Sequence, residues 1–279
     1  MRRKAAVSGQ FYPGSASAIE TFIAREIKGS APKGFQGVIV PHAGWPFSGG
    51  AALRALNALD MNEDTVFVLF GAVHTADIEK PAIYPEGAWE TPLGDIPVAD
   101  ELINDNFQTP LFSFSSRPHE GEHSLEVQLP FLRFLAPRCS IIPIAVPPGV
   151  HSNLDRYVGF FHHLLKKRPE IRFIASSDLT HYGFQYGDIS HGSGASGYAY
   201  VTGEKDPVFI EKVTRGEYRD LIPYSLKSRS ACGPGGMALL TGLFQKGEIR
   251  FLEYTTSYDM YPAAGMDSFV SYGTWGLKA

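Results

Sequence analysis

The sequence contains only two cysteines, Cys139 and Cys232, in 279 residues. Two thiols this far apart do not suggest the disulfide framework of a small secreted protein, so we expect both to be reduced. No stretch approaches the roughly 20 apolar residues of a membrane-spanning helix, and the first residues lack the apolar segment of a signal peptide. These absences predict a cytoplasmic protein with no membrane partner.

Clustered basic charge is also scarce. The chain has 25 Lys and Arg against 29 Asp and Glu, which gives a formal net charge of -4. The two basic clusters, at 2–4 and 166–168, are explained by a charged terminus and a solvated helix end. A protein that follows nucleic-acid phosphates needs a continuous basic surface, so we expect no nucleic-acid partner.

Apolar residues, in contrast, are abundant. A hydrophobic content of 44% in a chain of this length is enough for a large buried core. The length fits one large α/β domain or two small ones. We find no repeat of fixed period and predict a single domain spanning 1–279.

Continuous apolar runs predict strands that are buried on both faces. The runs are 38–40, 65–70, 141–146 and 171–175. A helical stripe predicts an amphipathic helix over 154–167, and two strands close the chain at 249–255 and 268–275. Because strands alternate with helices, we predict an α/β fold, a three-layer sandwich with a mixed, largely parallel central sheet flanked by helices.

Several connecting segments carry local signals. Residues 81–97, rich in Pro and Gly, predict an excursion with a hairpin. Ser48 is placed to cap the helix that follows the first strand. The helix that starts near Ser124 is expected to kink at Pro130. Residues 184–203, rich in Gly, Ser and Tyr, predict a loop.

Three of the predicted strands are followed by a histidine. The segments GVIVPH, FVLFGAVH and FIASSDLTH end in His42, His74 and His181, and the last also contains Asp178. The carboxyl ends of neighbouring parallel strands meet at one sheet edge, where open α/β sheets bind ligands. We therefore expect these side chains to converge, with one helical turn joining Asp178 to His181.

Cys232 comes just before a glycine-rich entry into a helix, where backbone N–H groups and the helix dipole favour a thiolate. Two histidines and a thiolate suit iron, copper or zinc and disfavour magnesium or calcium. Three protein ligands leave a position open for water or substrate. Each residue also has a structural interpretation: His74 as a helix-cap or loop histidine, Asp178 as a helix cap and Cys232 as a small buried residue.

The segment 119–123 has the order H-x-x-E-H, which one class of zinc proteases uses to place two histidines on one helical face. Pro118 precedes the segment and Gly121 interrupts it, so we do not expect a regular helix there. A zinc hydrolase would require His119 and His123, rather than the strand-end histidines, to be the metal ligands.

Taken together, the motifs resemble those of the Memo family. They are SGQFYP (8–13), PHAGW with FSG (41–49), GAVH (71–74), TPLG (91–94), EHSLEVQLPFL (122–132), SSDLTHYG (176–183) and ACG (231–233). The family is similar in fold to class III extradiol ring-cleaving dioxygenases, and its members bind iron or copper. By this resemblance His42, His74 and Cys232 would hold the metal, with Asp178 and His181 as acid–base groups.

The resemblance implies a mononuclear non-haem iron(II) oxidoreductase that acts on a catechol-like or other enolisable small molecule with O2. Copper is the alternative metal, and zinc is less favoured. The side chains expected to line the substrate pocket are Phe11, Tyr12, Trp45, Phe47 and His123. Two departures from the family pattern leave the ligands intact but bear on the substrate: Phe47 lacks the hydroxyl of the tyrosine found in many members, and Thr75 replaces a second histidine.

A second function remains open at this stage, a non-catalytic protein that binds iron or copper, or a peptide, in the same cleft. In prokaryotes the resemblance also implies a functional association with a radical-SAM protein and an AMMECR-type protein. The two terminal strands could belong to the core or form an assembly edge, so a homo-oligomer is a further open interpretation.

Overall fold

The computed structural model describes residues 1–27 and 32–279. In chain order its strands are β1 (Arg2–Arg3), β2 (Gly37–Val40), β3 (Val66–Gly71), β4 (Ala82–Ile83), β5 (Ala88–Trp89), β6 (Ile96–Pro97), β7 (Ser113–Phe114), β8 (Ser140–Ala145), β9 (Arg172–Ser176), β10 (His181–Gly183), β11 (Glu248–Thr256) and β12 (Ser268–Lys278). The α-helices are α1 (Ala16–Glu26), α2 (Trp45–Leu56), α3 (Asp100–Asn106), α4 (Leu129–Leu135), α5 (Leu154–Lys167), α6 (Ala195–Tyr200), α7 (Asp206–Thr214), α8 (Tyr218–Ser228), α9 (Pro234–Leu243) and α10 (Ser257–Met260).

The four predicted apolar strands form the parallel centre of the main sheet. Strands β2, β9, β3 and β8 lie side by side in that order, with Val40 beside Ser176 and Phe70 beside Ala175. Each of these strands is almost wholly buried, as expected for a sheet covered on both faces. The carboxyl ends of β2, β9 and β3 are therefore neighbours.

Antiparallel strands extend this centre on both sides. Strand β12 pairs with β2, β10 and β11, while β4 pairs antiparallel with β8 and carries β7 at its other edge. Among the described residues this gives a mixed nine-stranded sheet. The α/β prediction with a mixed, largely parallel sheet flanked by helices is confirmed.

Helices cover the sheet because their apolar faces need a partner. Helix α9 packs on β2, β3 and β9, and α2 packs on β2 and β12. Close contact with α9 requires a glycine at Gly37, where a Cβ would lie 2.9 Å from the Phe244 ring. Trp45 of α2 stacks on Phe131 with ring centroids 3.8 Å apart.

No helix in the described part of the chain is both long and apolar enough to cross a bilayer.

The excursion at 81–97 contains the predicted hairpin, in which β5 and β6 pair antiparallel. Strand β1 adds to it in parallel, so the first residues of the chain belong to a small three-stranded sheet. This arrangement brings the N-terminal segment close to the residues that follow β7.

Two cap and kink predictions were wrong. Helix α2 begins at Trp45 after the N-cap residue Gly44, and the Ser48 hydroxyl donates to the Ala43 carbonyl from within the helix. Pro130 lies in the first turn of α4, where a proline has no N–H to lose, so it starts the helix rather than kinking it.

Two loop-level predictions also need correction. No helical turn joins Asp178 to His181, because Leu179 and Thr180 exchange backbone hydrogen bonds with Ser271 of β12 and stay extended. The segment 184–203 is not all loop, since it contains α6 and the first part of a π-helical turn, Val201–Lys205. In the first case, backbone pairing with a distant strand outweighed the local signal. In the second, Tyr198 and Val201 pack with Tyr182 and Phe269 in a small apolar cluster.

Candidate metal centre

The candidate site lies at the carboxyl edge of the parallel strands. His42 follows β2, His74 follows β3, and Asp178 follows β9, which lies between those two strands. Cys232 reaches the same region from the start of a helix, since it immediately precedes Gly233, the N-cap residue of α9. The prediction that strand-end residues meet at one edge agrees with this placement.

Three histidines converge there. Ring nitrogens of His42, His74 and His123 all lie within 4.8 Å of one another. The His74 and His123 rings stack with centroids 4.8 Å apart, and the His42 ring meets both edge-on. His123 was predicted to line the pocket, so its position within a possible ligand set is a feature that sequence reasoning missed.

The thiol of Cys232 adjoins only one of these rings. Its Sγ lies 3.0 Å from His42 Nε2 and accepts a hydrogen bond from the Asp178 N–H at 3.3 Å. The tight approach of this segment needs Gly233, where a Cβ would lie 2.7 Å from the Ser176 carbonyl oxygen. His42 is therefore the residue shared by the histidine cluster and the thiol.

Hydrogen bonds fix which nitrogen of His42 carries the proton. The Ser176 hydroxyl donates its single hydrogen to the Ser124 carbonyl at 2.6 Å, so it can only accept from His42 Nδ1, 3.2 Å away. The lone pair of His42 is then on Nε2, the nitrogen that faces Cys232. This is the tautomer that a metal ligand requires.

Glu122 orients the second histidine in a similar way. Its carboxylate accepts the His74 backbone N–H at 2.7 Å and contacts His74 Nδ1 at 2.9 Å. Burial alone would lower the pKa of His74, but the hydrogen bond and charge of Glu122 outweigh it and raise that pKa. The same pair holds the pKa of Glu122 below its usual value despite burial. His74 Nε2 is left free to bind a metal, in a carboxylate–histidine arrangement common around metal ions.

Asp178 organises the backbone between these groups. One of its carboxylate oxygens accepts the N–H groups of His42 at 2.7 Å and Ala43 at 3.2 Å. Burial raises the pKa of Asp178, while the nearby His181 and the two N–H donors oppose that shift. Its interpretation as a helix cap is wrong, because the N–H groups that it accepts belong to the turn after β2.

The interior location disfavours charge on the proposed ligands when no metal is bound. Burial lowers the pKa of His42, with His74 and His123 adding to the effect, and burial raises the pKa of the Cys232 thiol. A cation at this place would stabilise neutral imidazoles and a thiolate together. Imidazole nitrogen and thiolate sulfur are donors that iron, copper and zinc accept.

His181 lies beside this group on β10. Its Nδ1 lies 3.2 Å from the Leu179 carbonyl, which can only accept, so Nδ1 carries the proton and Nε2 the lone pair. The ring of Tyr186 meets it edge-on with centroids 5.0 Å apart. Tyr186 comes from the segment predicted as a loop, and nothing in its sequence pattern marked it as a neighbour of His181.

The structure places the other predicted pocket residues in three different surroundings. Phe11 lies against His123, with ring centroids 4.7 Å apart. Tyr12 and Trp45 are buried, and their polar atoms are bound to Glu126 and to the Val127 carbonyl. Phe47 is 37% exposed in the first turn of α2.

His119 is separate from the histidine cluster. It is fully buried between Tyr84 and Trp89, and its Nε2 bonds the Ala82 carbonyl at 3.0 Å. The glutamate of the H-x-x-E-H segment is committed to His74 rather than to a water molecule. This arrangement gives no support to the zinc hydrolase interpretation, which requires His119 as a ligand.

Comparison with known proteins gives a consistent result. The family model described as Memo-like protein matches residues 3–275. A MEMO1 family protein of Thermotoga sp. (strain RQ2) is 34% identical, over 93% of this chain and 94% of its own. One of Pyrococcus abyssi (strain GE5 / Orsay) is 31% identical over 98% of each chain. A solved structure, an uncharacterized protein from Escherichia coli K12, is similar in fold, with 13% identity, a TM-score of 0.51 and coverage of 88% of this chain and 100% of its own.

Proposed function

The chain belongs to the Memo-like protein family, and from that premise we propose that it is a mononuclear non-haem iron(II) oxidoreductase. Its substrate would be a catechol-like or other enolisable small molecule, and its co-substrate O2. The observation that carries the proposal is the convergence of ring nitrogens from three histidines, all within 4.8 Å of one another, beside a thiol. The proposal includes the similarity in fold to extradiol dioxygenases that the sequence motifs suggested.

We assign the metal to His42, His74 and Cys232. Both histidines have Nδ1 committed to a neighbour, Ser176 in one case and Glu122 in the other, which leaves Nε2 as the donor. The Cys232 sulfur already accepts an N–H from Asp178, a contact that stabilises a thiolate. His123 then borders the open side, next to Phe11.

Iron is preferred to copper and zinc on chemical grounds. A bound ferrous ion would supply the redox chemistry with O2 that an oxidoreductase of this kind needs, whereas zinc has no redox chemistry. Copper is the alternative because the same nitrogen and sulfur donors bind it.

The protein side chains would bind, orient and deprotonate the substrate. His181 Nε2 carries the lone pair and would accept the proton of a substrate hydroxyl. The Asp178 carboxylate would hold the turn after β2 in place by accepting the N–H groups of His42 and Ala43. The Phe11 ring would border an aromatic substrate and limit access of water.

The first experiment measures the metal content of protein purified without oxygen. We expect near-stoichiometric iron in the wild type, and its loss in His42→Ala and Cys232→Ser. His163→Ala is the matched control, because His163 is exposed on α5. Loss of iron in His123→Ala together with retention in Cys232→Ser would instead assign the three-histidine set. Absence of metal, or zinc that survives both ligand substitutions, would contradict the iron proposal.

The second experiment separates catalysis from metal binding. Asp178→Asn and His181→Ala should keep iron but lose oxygen uptake with catechol, because neither residue is assigned as a ligand. If neither variant changes any oxygen-consuming activity, the protein would be better described as a non-catalytic metal-binding or peptide-binding adaptor.

A further inference from the structure

Tyr186 is the aromatic side chain beside the proposed base. Its ring lies edge-on to His181 at an interplanar angle of 87°, and the side chain is partly exposed. Within the described residues its hydroxyl has no hydrogen-bond partner in the protein. An amphipathic ring in this position has one polar atom available to a ligand.

The backbone around Tyr186 is tied down on both sides. Gly183 and Asp188 exchange backbone hydrogen bonds across the turn, and the Phe184 N–H donates to the Asp267 carbonyl. Gly183 has φ of +108°, and a Cβ there would lie 2.1 Å from the Asp267 carbonyl oxygen. The turn ends at Gly187 in the left-handed region. Glycines at both ends therefore allow a closed turn that places Tyr186 against His181.

The electrostatic surroundings keep the hydroxyl protonated. Burial raises the pKa of Tyr186, and the charge of Asp178 raises it further. At neutral pH the side chain is therefore a hydrogen-bond donor. A donor beside a proton-accepting imidazole complements a substrate oxygen that becomes negative as its proton leaves.

From this geometry we infer that Tyr186 is a substrate-binding residue, whose hydroxyl donates a hydrogen bond to the phenolate or enolate oxygen of a substrate that has lost its proton to His181. The inference rests on the proposed function and narrows it. The proton moves from the substrate O–H to His181 Nε2, the electron pair stays on the substrate oxygen, and Tyr186 keeps its own proton. The substrate class is thus an acidic phenol or enol.

The test uses the ferrous protein without oxygen and 4-nitrocatechol as the probe, since its absorption spectrum changes on deprotonation. Tyr186→Phe keeps the ring against His181 and removes only the hydroxyl. We expect binding to weaken roughly tenfold or more, the size of one hydrogen bond to a charged acceptor. The pH at which the bound probe deprotonates should also rise. Tyr261→Phe, an exposed tyrosine elsewhere, is the matched control and should leave both values unchanged.

The outcomes distinguish this inference from the function on which it rests. Binding to Tyr186→Phe within twofold of the wild type, at an unchanged deprotonation pH, would overturn the role of Tyr186 and leave the proposed function standing. Loss of iron in Tyr186→Phe would also overturn it, because the effect would then act through the metal. Failure of the iron-loaded wild type to bind the probe would overturn the proposed function and this inference together.

Discussion

At the scale of single residues, Glu122 controls more of the candidate site than its place in the sequence suggests. Its two oxygens accept the His74 N–H, the His74 Nδ1–H and the Ser124 N–H. All three partners are donors, so the position requires a group that only accepts. An ionised carboxylate meets this requirement, and an amide does not.

We therefore predict that Glu122→Gln weakens metal binding. The amide NH2 would face one of the three donors, and His74 would lose its fixed orientation. Loss of such a supporting carboxylate typically lowers metal affinity by roughly 10- to 100-fold, which a competition titration with a chelator measures. Glu120→Gln is the control, since Glu120 is exposed and only two residues away. Equal affinity in the two variants would show that Glu122 has no orienting role.

His119 predicts a pH dependence of folding stability. Burial lowers its pKa from 6.5 to about 4 in the folded protein, so the unfolded chain binds more protons between these values. Stability from this residue is complete above pH 6.5 and is lost as the pH falls toward 4. The expected loss at pH 5, relative to pH 7.5, is about 2 kcal/mol.

His119→Gln provides the comparison, because glutamine can still donate to the Ala82 carbonyl but does not titrate. Urea unfolding at pH 7.5 and pH 5 should show a smaller pH effect in the variant than in the wild type. The same pH effect in both proteins would rule out His119 as its source.

At the scale of helices and strands, predictions succeeded where a repeating pattern decides the structure. Strand β3 and helix α5 were found within one residue of their ends, since continuous apolar residues and a helical stripe each allow one packing. Segment 177–180 was misjudged because its extended form depends on Ser271 of β12. Residues so distant in sequence leave no local signal.

The same distinction applies to the candidate site. His42, His74 and Asp178 could be placed together because parallel strand ends share an edge. The contact between His74 and Glu122 joins residues 48 positions apart, each outside the helices and strands, so periodicity could not predict it. A motif drew attention to the segment around Glu122. It indicated neither that Glu122 would bind His74 nor where His123 would lie.

The turn after β10 predicts a contrast between two glycines. In Gly183→Ala the Cβ would lie 2.1 Å from the Asp267 carbonyl oxygen, and backbone atoms there cannot move without breaking strand pairing. We expect a loss of at least about 3 kcal/mol in the free energy of unfolding. At Gly187, φ is also positive but no atom lies within 4 Å of an added Cβ. Gly187→Ala should cost only about 1 kcal/mol of backbone strain.

Urea unfolding of the two variants measures this contrast. Similar stabilities for Gly183→Ala and Gly187→Ala would contradict the close approach of Gly183 to Asp267. The turn would then be looser than its hydrogen bonds imply, and the placement of Tyr186 against His181 would lose its structural basis.

At the scale of the whole molecule, the N-terminal segment is joined to the candidate site by a buried polar network. Glu126 is fully buried and accepts hydrogen bonds from Arg3, the Ala6 and Val7 N–H groups and the Tyr12 hydroxyl. Arg3 also donates to the Glu122 carbonyl and lies over the Trp89 ring. The first residues of the chain therefore hold in place the segment that carries the partner of His74.

This network predicts opposite consequences for two adjacent arginines. Arg3→Ala leaves the buried Glu126 charge without its ion-pair partner, so we expect a loss of about 3–5 kcal/mol in the free energy of unfolding. Arg2 pairs with Glu90 and Asp95 at the exposed surface, where water screens the charges, so Arg2→Ala should leave the free energy of unfolding nearly unchanged. Arg3→Ala should also retain less iron, because the Glu122 segment loosens. Urea unfolding and metal analysis of both variants test this, and equal stability would show that the N-terminal segment does not support the site.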